Sequence, residues 1–282
     1  MTLAGPQWEV ARDRRFRAVV TDLDGTLLDP AGRVTPRTAA ALATARRHGV
    51  LVAAASARPL RLVEEALGEH LGLFDALLVS NGASTVALPG RAVVDEAPLT
   101  NPVALRLIDQ LRCTWPDAGF GWEVGSRFEH DTAFADIATR RAIVRTLEGA
   151  PVPRPVGAAH QIVVAWPDGH PAERLDAVRH TVGGGDVVVT DSAGGVVELS
   201  AAGADKAAAM LRWTEFSGIS RRDVIAFGDQ TNDVTMLTAA GFGVAMGNAR
   251  ESVKQVAAAH TLGNAEDGVA AAIETFLGVV RR

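Results

Sequence analysis

Two aspartates separated by a single residue follow a short apolar run near the start of the chain. Residues 16–21, FRAVVT, lead directly into Asp22, and Asp24 follows just before Gly25 lets the chain turn away. In an extended strand, residues i and i+2 share a face, so we expect both carboxylates to lie beside the same ligand atom. A carboxylate can attack phosphorus, and a neighbouring carboxyl group can donate and then accept the protons of the two displacements. The spacing therefore indicates phosphoryl-transfer chemistry.

Cations must accompany such a reaction, because a phosphomonoester dianion repels a carboxylate nucleophile. Mg²⁺ prefers oxygen ligands, and one or two carboxylates usually hold it together with phosphate oxygens. Asp229, within the motif GDQTND at residues 228–233, can supply a carboxylate beside that of Asp22. Lys206 is one of two lysines among 28 basic residues, which suggests a position that needs a compact ammonium. We therefore expect a magnesium site at Asp22 and Asp229, and we expect Lys206 to serve a position that needs a compact ammonium.

The elements that must position these residues alternate between strands and helices. Apolar runs within residues 16–24, 50–56 and 75–82 predict strands with helical patterns between them, and the same rhythm resumes from residue 206. Runs without polar alternation are typical of parallel strands that are covered on both faces. The pattern predicts an α/β fold with a doubly wound parallel sheet, which binds ligands beyond the carboxyl ends of its strands. The polar residues at such ends are Asp22, Ser56, Asn81, Asp229 and Asn248.

The middle of the chain has a different pattern. Residues 84–99 predict a hairpin with a Pro-Gly turn, and four short strand-like runs follow it with one helix among them. This part is also α/β, but it has a more antiparallel character. Residues 86–199 are therefore predicted to form an inserted second domain, and residues 1–85 and 200–282 to form the core domain.

Composition excludes several classes of protein. The chain has 282 residues, of which 48% are hydrophobic and 22% charged, so it can bury a sizeable core. A net charge of −5 without a basic run gives no electrostatic footprint for nucleic acid or for a membrane surface. Cys113 is the single cysteine, which excludes an internal disulfide and a cysteine-based zinc site. Residues 1–16 show no apolar leader and no apolar stretch reaches about 20 residues, so we expect a soluble cytoplasmic protein, monomeric or homodimeric.

Four short motifs near the strand ends occur in a definite order: DLDGT at residues 22–26, SAR at 56–58, Lys206 after an aspartate, and GDQTND at 228–233. Their order and spacing resemble the haloacid dehalogenase (HAD) superfamily of phosphohydrolases. The long insert between the second and third motifs resembles its Cof-type branch with a C2 (IIB) cap, as do the segments SNGA, AMGNA and EDGVAAAI. The resemblance covers the predicted core, and it implies a Rossmann-like core domain with a cap that selects the substrate.

The resemblance also implies an activity. This is the Mg²⁺-dependent hydrolysis of a small phosphorylated metabolite, with a sugar phosphate favoured, through an aspartyl-phosphate. Asp22 would be the nucleophile and Asp24 the acid/base. Asp22, Asp229 and the backbone carbonyl of Asp24 would bind Mg²⁺, with Asp233 as a supporting ligand. The groups implied for the phosphoryl oxygens are the side chains of Ser56, Lys206 and Asn232 and the backbone amides of Leu23 and Ala57.

Three positions depart from the pattern of that family. Ala57 and Gln230 stand where glycine is commoner, and Lys206 precedes Ala207 instead of the frequent glycine. None of these changes removes a charged group or a ligand. Because glycine can serve a backbone conformation that other residues avoid, Ala57 and Gln230 leave the local geometry of both motifs open.

Two other functions stay open at this point. Phosphoryl transfer to a second sugar hydroxyl, as in mutases of related build, needs the same acids, although Asp24 favours hydrolysis. A protein that only binds a phosphorylated metabolite is disfavoured, since Asp22, Asp24, Lys206 and Asp229 are all present.

The insert itself carries no readable signature for a substrate. We expect its three tryptophans to pack in its core: Trp115, Trp122 and Trp166. Side chains beside its short strands that could contact a leaving group are Glu123, Arg127 and His130, and nothing in the sequence ranks them.

Overall fold

Strands and helices alternate along most of the chain in the computed structural model, which describes residues 3, 5–141, 147, 149–168, 171–192 and 195–278. The strands are β1 (Ala18–Thr21), β2 (Leu51–Ala55), β3 (Ala76–Val79), β4 (Ser84–Ala87), β5 (Ala92–Glu96), β6 (Gly119–Val124), β7 (Arg127–His130), β8 (Gln161–Ala165), β9 (Val187–Ser192), β10 (Val196–Ala201), β11 (Val224–Gly228), β12 (Phe242–Ala245) and β13 (Ala259–His260). The helices are α1 (Pro6–Arg12), α2 (Pro36–Arg47), α3 (Leu60–Leu67), α4 (Asn101–Thr114), α5 (Thr132–Arg141), α6 (Pro171–Val182), α7 (Lys206–Phe216), α8 (Val234–Ala239), α9 (Glu251–Lys254) and α10 (Gly268–Phe276). The chain divides into two compact units, the first comprising Met1–Asp95 and Asp205–Arg282 and the second Glu96–Ala204.

The first unit is built on a sheet with the strand order β13-β12-β11-β1-β2-β3-β4-β5. From β13 to β3 every neighbouring pair is parallel. The central strands are buried on both faces, as shown by Val19 and Val20 of β1 and by Ile225 and Phe227 of β11. Helix α2 packs against α10, and α7 packs against α8. The predicted α/β fold with a doubly wound parallel sheet is confirmed.

Two helices of this unit begin where the sequence supplies a cap. Thr35 accepts a hydrogen bond from the backbone N–H of Thr38, and Pro36 is the first residue of α2. Asp205 caps α7 in the same way, since its carboxylate accepts from the N–H of Ala208 at 2.8 Å. Such a cap satisfies an N–H group that has no partner within the helix, and it typically stabilises by about 1 kcal/mol. The cap at Asp205 makes Lys206 the first residue of α7.

The hairpin predicted over residues 84–99 forms, but its strands belong to the first sheet. β4 pairs antiparallel with β3, with Ser84 opposite Val79, and β5 follows as the outermost strand. The inserted unit therefore runs over Glu96–Ala204, whereas the sequence predicted 86–199. The sequence of a hairpin encodes its turn and its own pairing, but it does not encode the third strand that the hairpin joins.

The second unit has one antiparallel sheet, with the strand order β7-β6-β8-β10-β9. One face of this sheet packs on apolar side chains of α4, and Phe120 and Trp122 of β6 lie in that contact. Trp166 is buried in the same cluster, and Trp115 packs against it with the two rings edge to face at 5.8 Å. The expectation that the three tryptophans form the core of the insert is confirmed.

The lengths of the helices show whether any of them could span a membrane. α4 has 14 residues, fewer than the roughly 20 that a span requires. No helix within the described ranges is both long enough and apolar enough to cross a membrane.

Candidate active site

Asp22 and Asp229 each lie immediately after a strand of the parallel sheet. β1 and β11 are neighbours with Thr21 opposite Phe227, and the N–H of Asp22 donates to the carbonyl of Phe227 at 3.0 Å. Because parallel neighbours end at the same edge of a sheet, the two carboxylates emerge side by side. Carboxylate oxygens of Asp22, Asp229 and Asp233, here called the acidic cluster, lie within 4.8 Å of one another, and all three residues are buried.

Lys206 reaches the acidic cluster from the start of α7. Its Nζ donates to Asp22 Oδ1 at 2.6 Å and to Asp233 Oδ1 at 2.7 Å. The side chain is only 2% exposed, whereas lysines are almost never fully buried unless they are paired. The scarcity of lysine in the sequence thus pointed to a buried ammonium. This ammonium joins the start of α7 to Asp22, directly after β1, and to Asp233, in the turn after β11.

The acidic cluster has three carboxyl groups and Lys206 is its one ammonium partner among the described residues, so full ionisation would leave an excess of negative charge. Burial raises the pKa of Asp22 to about 8, and the charges of Asp233 and Asp229 add to this effect while Lys206 opposes it. Burial also raises the pKa of Asp229. Burial alone would lower the pKa of Lys206, but the attraction of Asp22 and Asp233 outweighs burial and raises it. Three ionised carboxylates beside one ammonium give a net charge of −2, which a divalent cation would neutralise.

Two neutral donors hold the carboxylate of Asp229. Thr26 Oγ1 donates to Oδ1 at 3.0 Å, and Gln230 Nε2 donates to Oδ2 at 2.8 Å. Gly25 lies directly beside this carboxylate, since a Cβ atom at position 25 would be 2.5 Å from Asp229 Oδ2. The backbone of Gly25 also has a φ of +75°. Glycine is therefore needed at position 25 both for the turn and for the close approach of Asp229.

Asp233 connects the acidic cluster to the loop that follows β11. Its Oδ2 accepts from the N–H groups of Asp229 and Gln230, both at 2.9 Å. Its Oδ1 accepts from Lys206, and the side chain is completely buried. Asp233 therefore fixes the shape of the loop and the position of the ammonium at the same time.

Asp24 lies outside the acidic cluster. Its two oxygens accept from Arg58, Oδ2 from Nε at 2.7 Å and Oδ1 from Nη2 at 2.6 Å, and its side chain is 54% exposed. The expectation that Asp22 and Asp24 share one face of a strand is wrong, because β1 ends at Thr21. The chain then coils through a wide turn over Leu23–Leu27. The partner Arg58 belongs to the SAR motif, but the sequence analysis did not include it among the site residues.

The other groups predicted to hold phosphoryl oxygens lie in loops at the same edge of the first sheet. Ser56 follows β2, the strand beside β1, and its Oγ accepts from the N–H of Arg58 at 3.1 Å. Ala57 lies between these two residues. Leu23 begins the turn after β1, and Asn232 lies in the turn after β11. The structure thus gathers the candidate groups in neighbouring loops, and their binding roles stay predictions.

Neither departure from glycine strains the backbone. Gln230 has φ −109° and ψ 168°, an extended conformation that any residue adopts. Ala57 is not among the residues with positive φ. Both motifs therefore form with the residues present, which closes the question that these positions raised in the sequence.

A turn that the sequence analysis left out of the site lies against several of its parts. Ser80 and Asn81 have φ of 51° and 54°, in the left-handed region. The N–H of Ser80 donates to the carbonyl of Arg58 at 2.9 Å, and the N–H of Asn81 donates to that of Ser56 at 3.0 Å. Asn232 Nδ2 donates to Asn81 Oδ1 at 3.3 Å. Strain of this kind concentrates at functional sites, and the motif SNGA was the available signal.

A parallel sheet with buried aspartates at adjacent strand ends, a buried lysine and an inserted antiparallel unit is the arrangement of a haloacid dehalogenase-like hydrolase. The family model of that description matches residues 19–114 and 167–273. The chain therefore belongs to this family, in its Cof-type branch with a C2 cap, and it is a phosphatase.

Individual relatives cover nearly the whole chain. It is 28% identical over 267 residues to the 5-amino-6-(5-phospho-D-ribitylamino)uracil phosphatase YcsE of Bacillus subtilis (strain 168), with 94% of this chain and 97% of that protein covered. It is 28% identical over 272 residues to the pyridoxal phosphate phosphatase YbhA of Escherichia coli (strain K12), with 93% and 98% covered. The crystal structure of a haloacid dehalogenase-like hydrolase from Bacteroides thetaiotaomicron matches with a TM-score of 0.77 at 27% identity, with 92% and 99% covered.

Proposed function

We propose that this phosphatase hydrolyses a small phosphorylated metabolite, with sugar phosphates as the favoured class, through an aspartyl-phosphate on Asp22 and with Mg²⁺ as cofactor. The observation that carries the proposal is the buried contact of 2.6 Å between Asp22 and Lys206, within a cluster of three carboxylates that has a net charge of −2 when all three are ionised. A dianionic phosphate can approach such a cluster only when cations offset the negative charge of its carboxylates. The lysine supplies one charge and a divalent cation would supply the rest.

The two displacements follow from the contacts of Asp22. Lys206 occupies Oδ1, which leaves Oδ2 to attack phosphorus as the bond from phosphorus to the ester oxygen breaks. Asp24 first leaves Arg58 and takes up a proton from solvent, and it then donates this proton to the departing ester oxygen. Water then attacks the phosphorus of the aspartyl-phosphate, Asp24 accepts its proton, and Asp22 leaves as a carboxylate. Lys206 stabilises the negative charge in both displacements.

The residues present fit Mg²⁺, because the acidic cluster offers only oxygen donors and has an excess of negative charge. Asp22, Asp229 and the backbone carbonyl of Asp24 would hold the ion, with Asp233 as a supporting ligand. When bound, Mg²⁺ neutralises charge on the phosphate oxygens, so that a carboxylate can approach them.

The remaining predicted residues would bind the phosphoryl group and select the substrate. Ser56 and Asn232 would donate to phosphoryl oxygens, as would the backbone amides of Leu23 and Ala57. The inserted unit, Glu96–Ala204, would act as the cap that contacts the leaving group. Closure of such a cap excludes water and chooses the ester.

The relatives that match over their full length support a small-metabolite substrate. One is named for a phosphorylated ribitylamino-pyrimidine and the other for pyridoxal phosphate. Both names describe phosphate esters of primary alcohols on small polar molecules. We therefore extend the favoured class from sugar phosphates to phosphorylated polyols and to phosphorylated heterocycles of similar size.

A panel of phosphomonoesters tests the proposal. Sugar phosphates, phosphorylated polyols and pyridoxal phosphate are incubated with the protein in Mg²⁺ or in EDTA, and released phosphate is measured. We expect turnover that EDTA abolishes and that Asp22→Asn lowers by at least about 10³-fold. Asp176→Asn is the matched control, because its side chain is 95% exposed on the surface of the second unit, and it should retain full activity.

The same panel separates the two alternatives. With an acceptor sugar present, a mutase or transferase would yield a second phosphorylated sugar in place of inorganic phosphate. A binding protein would bind one of these esters tightly and release no phosphate. Full activity of Asp22→Asn in EDTA would contradict both the nucleophile and the metal.

A further inference from the structure

Within the described residues, Asp229 is the member of the acidic cluster that has no salt bridge to a cation. Asp22 and Asp233 both contact Lys206, whereas the two oxygens of Asp229 accept from Thr26 and from the side-chain amide of Gln230. A buried carboxylate needs donors on its oxygens, because burial without them is costly. For Asp229 these donors are neutral, so no cation contacts its carboxylate directly within the described residues.

We infer that Gln230 is a positioning residue for Asp229, fixing its carboxylate for a divalent cation; this inference rests on the metal role in the proposed function. An arginine or lysine in place of Gln230 would orient the carboxylate equally well, but its charge would compete with the cation. An amide orients the carboxylate and leaves its charge available. Removal of a group that holds a metal ligand in this way commonly weakens metal affinity by about 10–100-fold.

The backbone of Gln230 does not explain why a glutamine stands there. Its extended φ and ψ suit any residue, and its N–H contact with Asp233 is available to every residue except proline. The side chain packs against no core, since Gln230 is exposed. Its side chain makes a 2.8 Å hydrogen bond to Asp229 Oδ2. Glycine, which is commoner at this position in the family that the sequence resembles, lacks that donor.

Metal binding to the full chain tests the inference directly. Gln230→Met keeps the length of the side chain but removes the N–H donor, and Gln230→Gly removes the side chain entirely. Mg²⁺ affinity is measured by titration calorimetry, and Mn²⁺ binding by the loss of the free-ion electron paramagnetic resonance signal. We expect both variants to bind either ion about tenfold more weakly than the wild type. The matched control is Gln255→Met, at an exposed glutamine after α9, which should bind as the wild type does.

A second readout separates positioning from a general structural effect. If Gln230 positions Asp229, the Mg²⁺ concentration for half-maximal activity rises about tenfold in Gln230→Met, while the rate at saturating Mg²⁺ stays near that of the wild type. Equal Mn²⁺ and Mg²⁺ affinities in Gln230→Met and wild type would overturn the inference and leave the proposed function standing. A wild-type chain that binds neither ion would overturn both. A lower unfolding temperature without a change in ion affinity would show a structural role only, and would also overturn the inference.

Discussion

The guanidinium of Arg58 donates to both oxygens of Asp24, from Nε at 2.7 Å and from Nη2 at 2.6 Å. The pair is partly exposed, with side-chain exposures of 35% and 54%, and the bond to Asp24 raises the pKa of Arg58. Exposed ion pairs are worth about 0–1 kcal/mol, so thermal motion can open this one. Arg58 therefore gives the carboxylate of Asp24, the proposed acid/base, a defined position in a contact that can open.

Replacement of Arg58 should lower the rate of the chemical step. Without the two-pronged contact, Asp24 loses its fixed starting position, and misplacement of a reacting group can cost about 10²-fold. We expect Arg58→Met to reduce kcat by about 10–100-fold with a smaller change in KM. Arg58→Lys should recover only part of the rate, because an ammonium cannot form the paired contact. Steady-state kinetics on the best substrate of the panel would contradict this if kcat stayed at the wild-type value.

Replacement of Lys206 should damage both stability and activity. Lys206→Met leaves Asp22 and Asp233 without their cation in a buried site, and breaking such a pair typically costs about 3–5 kcal/mol of unfolding free energy. The loss of one transition-state donor also lowers kcat by about 10²–10³-fold. The other lysine supplies the control, since Lys254→Met changes a side chain outside the acidic cluster and should shift stability by less than about 0.5 kcal/mol. Equal denaturation midpoints for the two variants would contradict the buried pairing.

The metal-free protein should lose stability as pH rises. Burial raises the pKa of Asp22 from 3.8 to about 8 and also raises that of Asp229. Between the unfolded and folded values the folded state binds more protons, so the free energy of unfolding falls with increasing pH. Lys206 adds no slope there, since it is protonated in both states. Melting temperatures in EDTA should therefore decrease from about pH 4 to about pH 8.

Two comparisons test whether the buried carboxylates cause the change of melting temperature with pH. Asp22→Asn should show a flatter decrease, because one of the two acids with a raised pKa, Asp22 and Asp229, no longer ionises. Saturating Mg²⁺ should restore stability at the upper end of the range, since it binds the ionised carboxylates of the folded state. A melting temperature that rises with pH in EDTA would show that these acids are stabilised by ionising, contrary to the account.

A pair of glycines isolates the close approach to Asp229. Gly25 and Gly32 have the same φ of +75°, but a Cβ on Gly25 would lie 2.5 Å from Asp229 Oδ2 whereas one on Gly32 would meet nothing within 4 Å. Gly32→Ala should therefore cost only the backbone strain, about 1–2 kcal/mol. Gly25→Ala should cost more and should also weaken Mg²⁺ binding, because it displaces the carboxylate. The two variants are compared by denaturant unfolding and by Mg²⁺ titration. Equal unfolding free energies and equal Mg²⁺ affinities for Gly25→Ala and Gly32→Ala would show that the close approach has no consequence.

The sequence predicted the parts of the site that depend on parallel strands. Asp22 and Asp229 were expected to meet because each follows an apolar run, and adjacent parallel strands end at one edge. The register of Thr21 opposite Phe227 confirms that reasoning. Lys206 was singled out by composition, and its burial agrees.

Contacts that depend on loop geometry could not be predicted from the sequence. Asp24 was expected on the face of a strand, but the strand ends before Asp22, so its carboxylate meets Arg58 instead. The outer hairpin was assigned largely to the insert, because its turn residues do not show which strand it joins. Periodicity reports which residues are buried along an element, and it carries no information about how a loop turns after that element.

Trapping of a covalent intermediate tests whether the phosphoryl group is transferred to Asp22. The protein is mixed with an excess of its best substrate and Mg²⁺, quenched in acid within milliseconds, and digested for mass spectrometry. We expect a phosphoryl group on the peptide that contains residues 19–29, at Asp22, and none in Asp22→Asn. A phosphoryl group on another residue, or rapid turnover without any acyl-phosphate, would contradict transfer to Asp22.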